Sequence, residues 1–192
     1  MITPYDVVLS DGRPLVKALN EHRNWRENIY DGVRTRLDLT TEVLSGVDFS
    51  GWDMGQARFT SCALQGTVFA QVELFNPFFK DSDLTDARFA CRRIGRGRWN
   101  NCNLEAVDFQ GINFDNCISY YSDLTDTYFG NCDLTGWQIL KLDTDPFSAA
   151  NLGYLANYAN TGVVVNSAKT AFLVTDGMPQ PTDITGIPQD LL

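Results

Sequence analysis

Apolar residues recur every fifth position from Leu39 to Ile139. The series runs Leu39, Leu44, Phe49, Met54, Phe59, Leu64, Phe69, Leu74, Phe79, Leu84, Phe89, Ile94, Trp99, Leu104, Phe109, Phe114, Ser119, Leu124, Phe129, Leu134, Ile139, and only Ser119 breaks it. A chain that is 44% hydrophobic would give about nine apolar residues in twenty-one such steps by chance. Neither a helix, with 3.6 residues per turn, nor a flat strand, with two, has a period of five. The residue two before each centre is mostly small or apolar, as at Val47, Ala57, Cys62, Ser82 and Thr127. Gly, Asn or Asp often follows two after it, as at Gly51, Gly66, Asp86 and Asn101, and these residues accept tight-turn angles. A two- or three-residue strand, then a corner, repeated, predicts a coil whose large centres and small companions fill its interior. Successive coils then stack at strand spacing, about 4.8 Å.

Several units share a finer pattern: Val47-Asp48-Phe49-Ser50-Gly51, Ser82-Asp83-Leu84-Thr85-Asp86, Ser122-Asp123-Leu124-Thr125-Asp126 and Cys132-Asp133-Leu134-Thr135-Gly136. These resemble the motif of the pentapeptide-repeat family over residues 37 to 141. The resemblance implies an all-β solenoid, a right-handed quadrilateral β-helix with four units per turn. Twenty-one units then predict about five coils.

Outside the repeat, residues 1–36 are expected to form an N-terminal cap. A helix over 11–30, opened by Ser10 or Asp11 with Pro14 in its first turn, would carry Leu15, Ala18, His22, Trp25 and Ile29 on one stripe. Its role is to cover the first coil, since a solenoid needs capped ends. Residues 142–192 are expected to form a small α/β appendage. It comprises a short helix over 147–158, a hairpin of 163–165 with 171–174, and an extended tail. This segment is the candidate for end-capping or for a homodimer contact.

Four units per turn put residues twenty apart on one side. Asp83, Asn103 and Asp123 then form a column, with Glu105 beside it and Asp86 and Asp126 at the next corner. A second side carries Asp53, Glu73, Asn113 and Asp133, interrupted by Arg93. The acids are read either as a binding face or as a solvated face that the turns require. Five arginines fall within eleven residues: Arg88, Arg92, Arg93, Arg96 and Arg98. They either grip a carboxylate or phosphate or pair with acids on neighbouring coils. Arg92 occupies an inward slot, where an unpaired guanidinium is very costly, so a local bulge or an outward turn is expected. Pro77, at another inward slot, lacks a donor, so one rung is expected to lose a hydrogen bond there. Gly95-x-Gly97 precedes no helix and is not read as a phosphate loop.

The net charge of −9 disfavours a protein that coats nucleic acid directly. The repeat region carries −6, residues 1–36 carry +1 and residues 142–192 carry −4. No apolar run is long enough to span a membrane, and the start Met-Ile-Thr-Pro-Tyr-Asp predicts no secretory signal. Four of the five cysteines (Cys62, Cys102, Cys117, Cys132) fall on small inward positions, and no CxxC occurs. That usage points to a reducing cytoplasm. The only histidine is His22, so nucleophilic triads and histidine metal sites lack their key residue. The expectation is a non-enzymatic binding protein without cofactor or metal. The family resemblance brings in the quinolone-resistance and topoisomerase-poison immunity proteins. It implies a DNA mimic whose acidic rod enters the groove of a type II topoisomerase, DNA gyrase being the candidate, or of another nucleic-acid-binding complex, as in a phage- or plasmid-encoded counter-defence or resistance protein. The alternative is a protein–protein scaffold without mimicry.

Overall fold

The computed structural model describes residues 1–28, 35–120, 122–123, 127–128 and 132. It also describes the backbone of the strands Trp137–Leu142, Val163–Asn166, Ala171–Thr175 and Met178–Pro181. The described residues form a β-solenoid of about four turns. Each turn consumes twenty residues. Leu39 lies beside Phe59, Phe59 beside Phe79, Phe79 beside Trp99, Trp99 beside Ser119 and Ser119 beside Ile139, all in parallel register. The fifth turn expected from twenty-one units is represented by the strand Trp137–Leu142.

Four sides follow from the pairings. Side one stacks Asp38–Thr40, Arg58–Thr60, Phe78–Lys80, Arg98–Asn100, Cys117–Tyr120 and Trp137–Leu142. Side two pairs Val43 with Ala63, Ala63 with Asp83, Asp83 with Asn103 and Asn103 with Asp123. Side three joins Asp48 to Val68, Val68–Ala70 to Arg88–Ala90, and Arg88 to Asp108. Side four stacks Leu74–Phe75, Arg93–Gly95 and Asn113–Asp115, with Asp53 beside Glu73 below.

The fivefold pattern holds because each corner is left-handed. Every fifth residue from Thr41 to Asn116 has φ between +49° and +80°, with Cys91 the single exception. Glycine fills four of these corners and side-chain-bearing residues fill the rest. The centres between corners point inward. Phe49, Phe69, Phe89 and Phe109 stack in one column with centroids 5.2, 4.8 and 4.9 Å apart. Phe59, Phe79 and Trp99 form a second column that meets the first edge to face. Offset stacks and edge contacts are the favoured aromatic geometries.

The small inward residues have a second job. Thr67 and Thr127 hydroxyls donate to Leu64 O and Leu104 O at 2.7 and 2.8 Å, and the Ser82 hydroxyl accepts from Cys62 N–H at 3.1 Å. Such residues satisfy corner backbone groups that a purely apolar core would strand. Ser119 lies between Trp99 and Ile139 as the twenty-residue rule requires. It is fully buried, and its hydroxyl finds no hydrogen-bond partner among the described residues. Gly97 takes an inward slot because a Cβ there would lie 2.8 Å from the Trp99 indole and 2.9 Å from Ile94. The large centre dictates the small companion.

Two expectations need correction. Pro77 takes no hydrogen bond from a rung: Phe78 N–H still donates to Ala57 O, and Arg98 N–H to Pro77 O, both at 3.0 Å. What Pro77 forgoes is a bond within the corner, of the kind Ala87 N–H makes to Leu84 O at 2.8 Å. The helix runs Leu15–Arg26, shorter than 11–30, with Pro14 as its N-cap. Asp11 sits before it, accepting from Arg13 N–H at 2.9 Å in a local turn.

That helix lies against the first coil and buries Leu15, Ala18, Leu19, Glu21 and His22. His22 Nδ1 accepts from Leu37 N–H at 3.0 Å, and its ring stacks on Trp25. Glu42, at the inward slot of the first coil, accepts from Ser10 N–H at 3.0 Å and from the Ser10 hydroxyl at 2.6 Å. Arg26 reaches side four and bonds Asp53 at 3.1 Å and Glu73 at 3.7 Å. A Cβ on Gly55 would meet the Arg26 guanidinium at 2.5 Å. At the other end, Val163–Asn166 adds in parallel to Trp137–Leu142, and Ala171–Thr175 pairs antiparallel with it, giving the expected hairpin. Met178–Pro181 adds a further antiparallel strand. The expected helix over 147–158, Ile29, and the tail beyond Pro181 lie outside the described residues.

Candidate binding faces

Because one coil advances a strand spacing, each side's outward residues form columns whose successive members are about 4.8 Å apart. Side two holds Asp83, Asn103 and Asp123 in one column and Gln65, Thr85 and Glu105 in the next. Asp81 and Asp86 stand at the flanking corners. No lysine or arginine occupies the described outward positions of this side. Asp86 and Glu105 are exposed, whereas Asp83 and Asp123 are half-buried. Asp126 lies outside the described residues.

Asp83 is committed locally. It accepts from Thr85 N–H at 3.0 Å, from the Thr85 hydroxyl at 2.6 Å and from Gln65 Nε2 at 2.6 Å. Burial opposes its ionisation, but these donors outweigh burial and hold its carboxyl below the ordinary value. Asp48 and Asn103 make the same backbone turn contact, to Ser50 N–H at 2.8 Å and Glu105 N–H at 3.0 Å. The repeat thus places Asp or Asn there for turn geometry first.

The second acidic side is partly offset by bases: Arg26 pairs with Asp53 and approaches Glu73, which stays exposed, and Arg93 pairs with Asp115. The five clustered arginines do not form one patch. Arg88 is on side three, Arg92 and Arg93 lead into side four, Arg96 turns the next corner, and Arg98 is on side one. They form a belt around most of one coil. Arg88 pairs with Asp108 at 3.7 Å and Arg93 with Asp115, one coil on. Arg96 lies over the Phe75 ring, 5.4 Å from its centroid. Arg92 is exposed, as expected for a guanidinium that cannot stay unpaired inside. The device is the missing left-handed corner at Cys91, whose thiol turns in as Arg92 turns out. The same irregular corner borders a groove of about 670 Å³ lined by Val72, Glu73, Phe75, Cys91, Arg92 and Arg93.

The sequence reading missed a second basic feature. Side one stacks Arg58, Phe78 and Arg98 in one column, with Arg36 at the corner below and Lys80 in the neighbouring column. Arg58 lies over the Phe78 ring, 5.2 Å from its centroid. The signal was present as a twenty-residue spacing, but a local count of arginines does not see residues twenty and forty apart.

Eight copies of the family model for pentapeptide repeats match residues 53–89 and 100–136. No curated protein matches the chain by sequence. Among solved structures, it is similar to the pentapeptide-repeat protein Rfr23 from the cyanobacterium Cyanothece 51142, at 18% identity and a TM-score of 0.39. That match covers 56% of this chain and 66% of Rfr23. It is similar to QnrB1, a plasmid-mediated fluoroquinolone resistance protein, at 20% identity and a TM-score of 0.37, over 55% of this chain and 66% of QnrB1. HetL, involved in heterocyst differentiation regulation in the cyanobacterium Nostoc sp. strain PCC 7120, matches at 14% identity and a TM-score of 0.35, over 53% of each chain. The chain therefore spans slightly less than two thirds of the length of Rfr23 and QnrB1 and about half that of HetL. Its repeat match, its twenty-residue register and its fivefold corners agree, and the coiled region of this chain belongs to the pentapeptide-repeat family.

Proposed function

We propose that this protein is a non-enzymatic binding protein of the cytoplasm whose side two docks into the basic groove of a nucleic-acid-handling partner. The observation that supports this reading is the set Asp83, Asp86, Glu105 and Asp123 on a side whose described outward positions hold no lysine or arginine. Asp83 and Asp123 are two coils apart, about 10 Å, which is near the Debye length at physiological salt. Their fields overlap and add, so the side attracts an array of lysines and arginines that normally receives phosphates. A type II topoisomerase such as DNA gyrase is the partner of this kind to test first. In this reading residues 1–36 cap a solenoid of residues 37–141, and residues 142–192 close its far end or join two copies. No described helix is long and apolar enough to cross a membrane.

A DNA-supercoiling assay with purified gyrase tests it. The wild-type protein inhibits the reaction. The double variant Asp86→Lys with Glu105→Lys alters two exposed side chains and leaves the Asp83 turn intact, so it folds. It loses potency, each reversal weakening binding roughly tenfold, or about 1.4 kcal/mol. Equal inhibition by both proteins, or none by either, removes the topoisomerase reading. The scaffold reading draws support from a different observation: basic side one adjoins acidic side two, so the surface is not uniformly DNA-like. Binding to a basic protein partner that competing DNA does not displace would favour it.

A further inference from the structure

Side one carries a small cleft that neither the repeat motif nor the acidic reading explains. It has a volume of about 120 Å³ and is lined by Arg36, Gln56, Arg58, Asn76, Phe78 and Arg98. These residues span sixty-two positions of sequence and meet because 36, 56 and 76 share one corner column, while 58, 78 and 98 share the adjacent strand column. Every polar side chain in the lining carries N–H donors, and no carboxylate lines the cleft. Arg36 leans on Asp38 at 3.2 Å, which offsets one of the three charges. Among the described residues no acid pairs with Arg58 or Arg98. Those two guanidiniums lie on strands two coils apart, about 10 Å, with the Phe78 ring on the strand between them. The ring holds Arg58 from one side, 5.2 Å from the centroid, so part of its ordering is already in place.

We propose that this cleft is a binding site for a phosphate-type oxyanion. Arginine presents its donors as a planar fork matched to such oxygens. The Gln56 and Asn76 carboxamides add neutral donors at the corner. The cleft has room for several waters, each needing only ~10–15 Å³ of such volume, and so for one tetrahedral oxyanion. An anion there also relieves the repulsion among the arginines. The site is independent of side two, so either reading can fail without the other.

Inorganic phosphate is the probe. In amide-resolved NMR titrations of the full chain at constant ionic strength, phosphate shifts the signals of Gln56, Arg58, Asn76 and Arg98 saturably in the millimolar range, and acetate and chloride do not. Arg58→Gln and Arg98→Gln each weaken phosphate binding about tenfold. Arg88→Gln, whose side chain lies on side three, leaves it unchanged and controls for general charge. The altered side chains are exposed, and unchanged amide spectra elsewhere report an intact coil. Absence of saturable shifts, equal shifts with acetate, or equal loss in Arg88→Gln overturns the proposal. Affinity that climbs with the length of a single-stranded oligonucleotide also overturns it, since that result describes a strand track.

Discussion

From Thr41 to Asn116 each corner of the coil except that at Cys91 holds one residue in the left-handed region, and most of those residues carry side chains. For an L-residue that conformation costs roughly 1–2 kcal/mol, and glycine avoids most of the cost. Ala106, with φ +55°, has no side-chain hydrogen-bonding group to compensate. Replacing Ala106 by Gly is therefore expected to stabilise the protein by about 1 kcal/mol, read as a higher urea midpoint. Ala87 is a buried inward residue without a left-handed φ, so Ala87→Gly is expected to destabilise. A result in which both changes destabilise equally would show that the corners are not strained. Cys91 shows the converse. Where the left-handed corner is skipped, the in–out alternation slips, and an arginine in an inward slot reaches water.

The N-terminal element is held by polar contacts as much as by its apolar stripe. Glu42 fixes Ser10, Arg26 spans Asp53 and Glu73, and His22 receives the Leu37 amide. Burial, partly opposed by Asp53, pushes the His22 pKa below its ordinary value of about 6.5. The native helix thus holds a neutral ring, while the unfolded chain takes up a proton near pH 6.5. Unfolding binds the extra proton, so this contribution is complete above about pH 6.5 and is lost as pH falls toward the lower native pKa. Because His22 is the only histidine, its ring-proton NMR shift is unambiguous, and its midpoint is expected below 6.5. Urea midpoints are expected to fall between about pH 7.5 and 5.5, and to fall less in His22→Gln. A ring that titrates at its ordinary value would sink this account of the cap.

Over the whole molecule, the solenoid sequesters its reactive groups and sorts its charges. All five thiols are buried and unpaired with one another. Burial pushes Cys91 and Cys117 up to about 11 and Cys102 up to about 12. The thiolate is the reactive form, so a thiol reagent near pH 8 is expected to modify the native protein only at its opening rate. All five thiols become reactive in urea. Rapid modification of any one in native buffer would mean that the coil opens locally there. The charges are sorted by the same register. Residues twenty apart in sequence become neighbours, which gives an acidic side two, a basic side one and a side four where Arg26 and Arg93 pair with Asp53 and Asp115.

The coil itself was legible in the chain because its cause is local. A large centre, a small companion and a turn-forming corner recur within five residues, and each unit repeats the same in–out decision. The acidic column at 83, 103 and 123 was legible for the same reason once four units per turn were assumed. The surface was only partly so. Counting along the chain grouped Arg88 to Arg98 as one cluster, whereas corners between them turn those side chains onto different sides. It passed over Arg36, Arg58 and Arg98, which meet only after one and two further coils are laid down. It also gave no hint that Arg26, from a helix outside the repeat, pairs with Asp53 and reaches toward Glu73. Apart from the slip at Cys91 and Arg92, the sequence alone determined which way the repeat's side chains face, because that follows from a residue's place within five. The tertiary structure decided which side chains are neighbours, because that depends on how coils stack and how the cap lands on them.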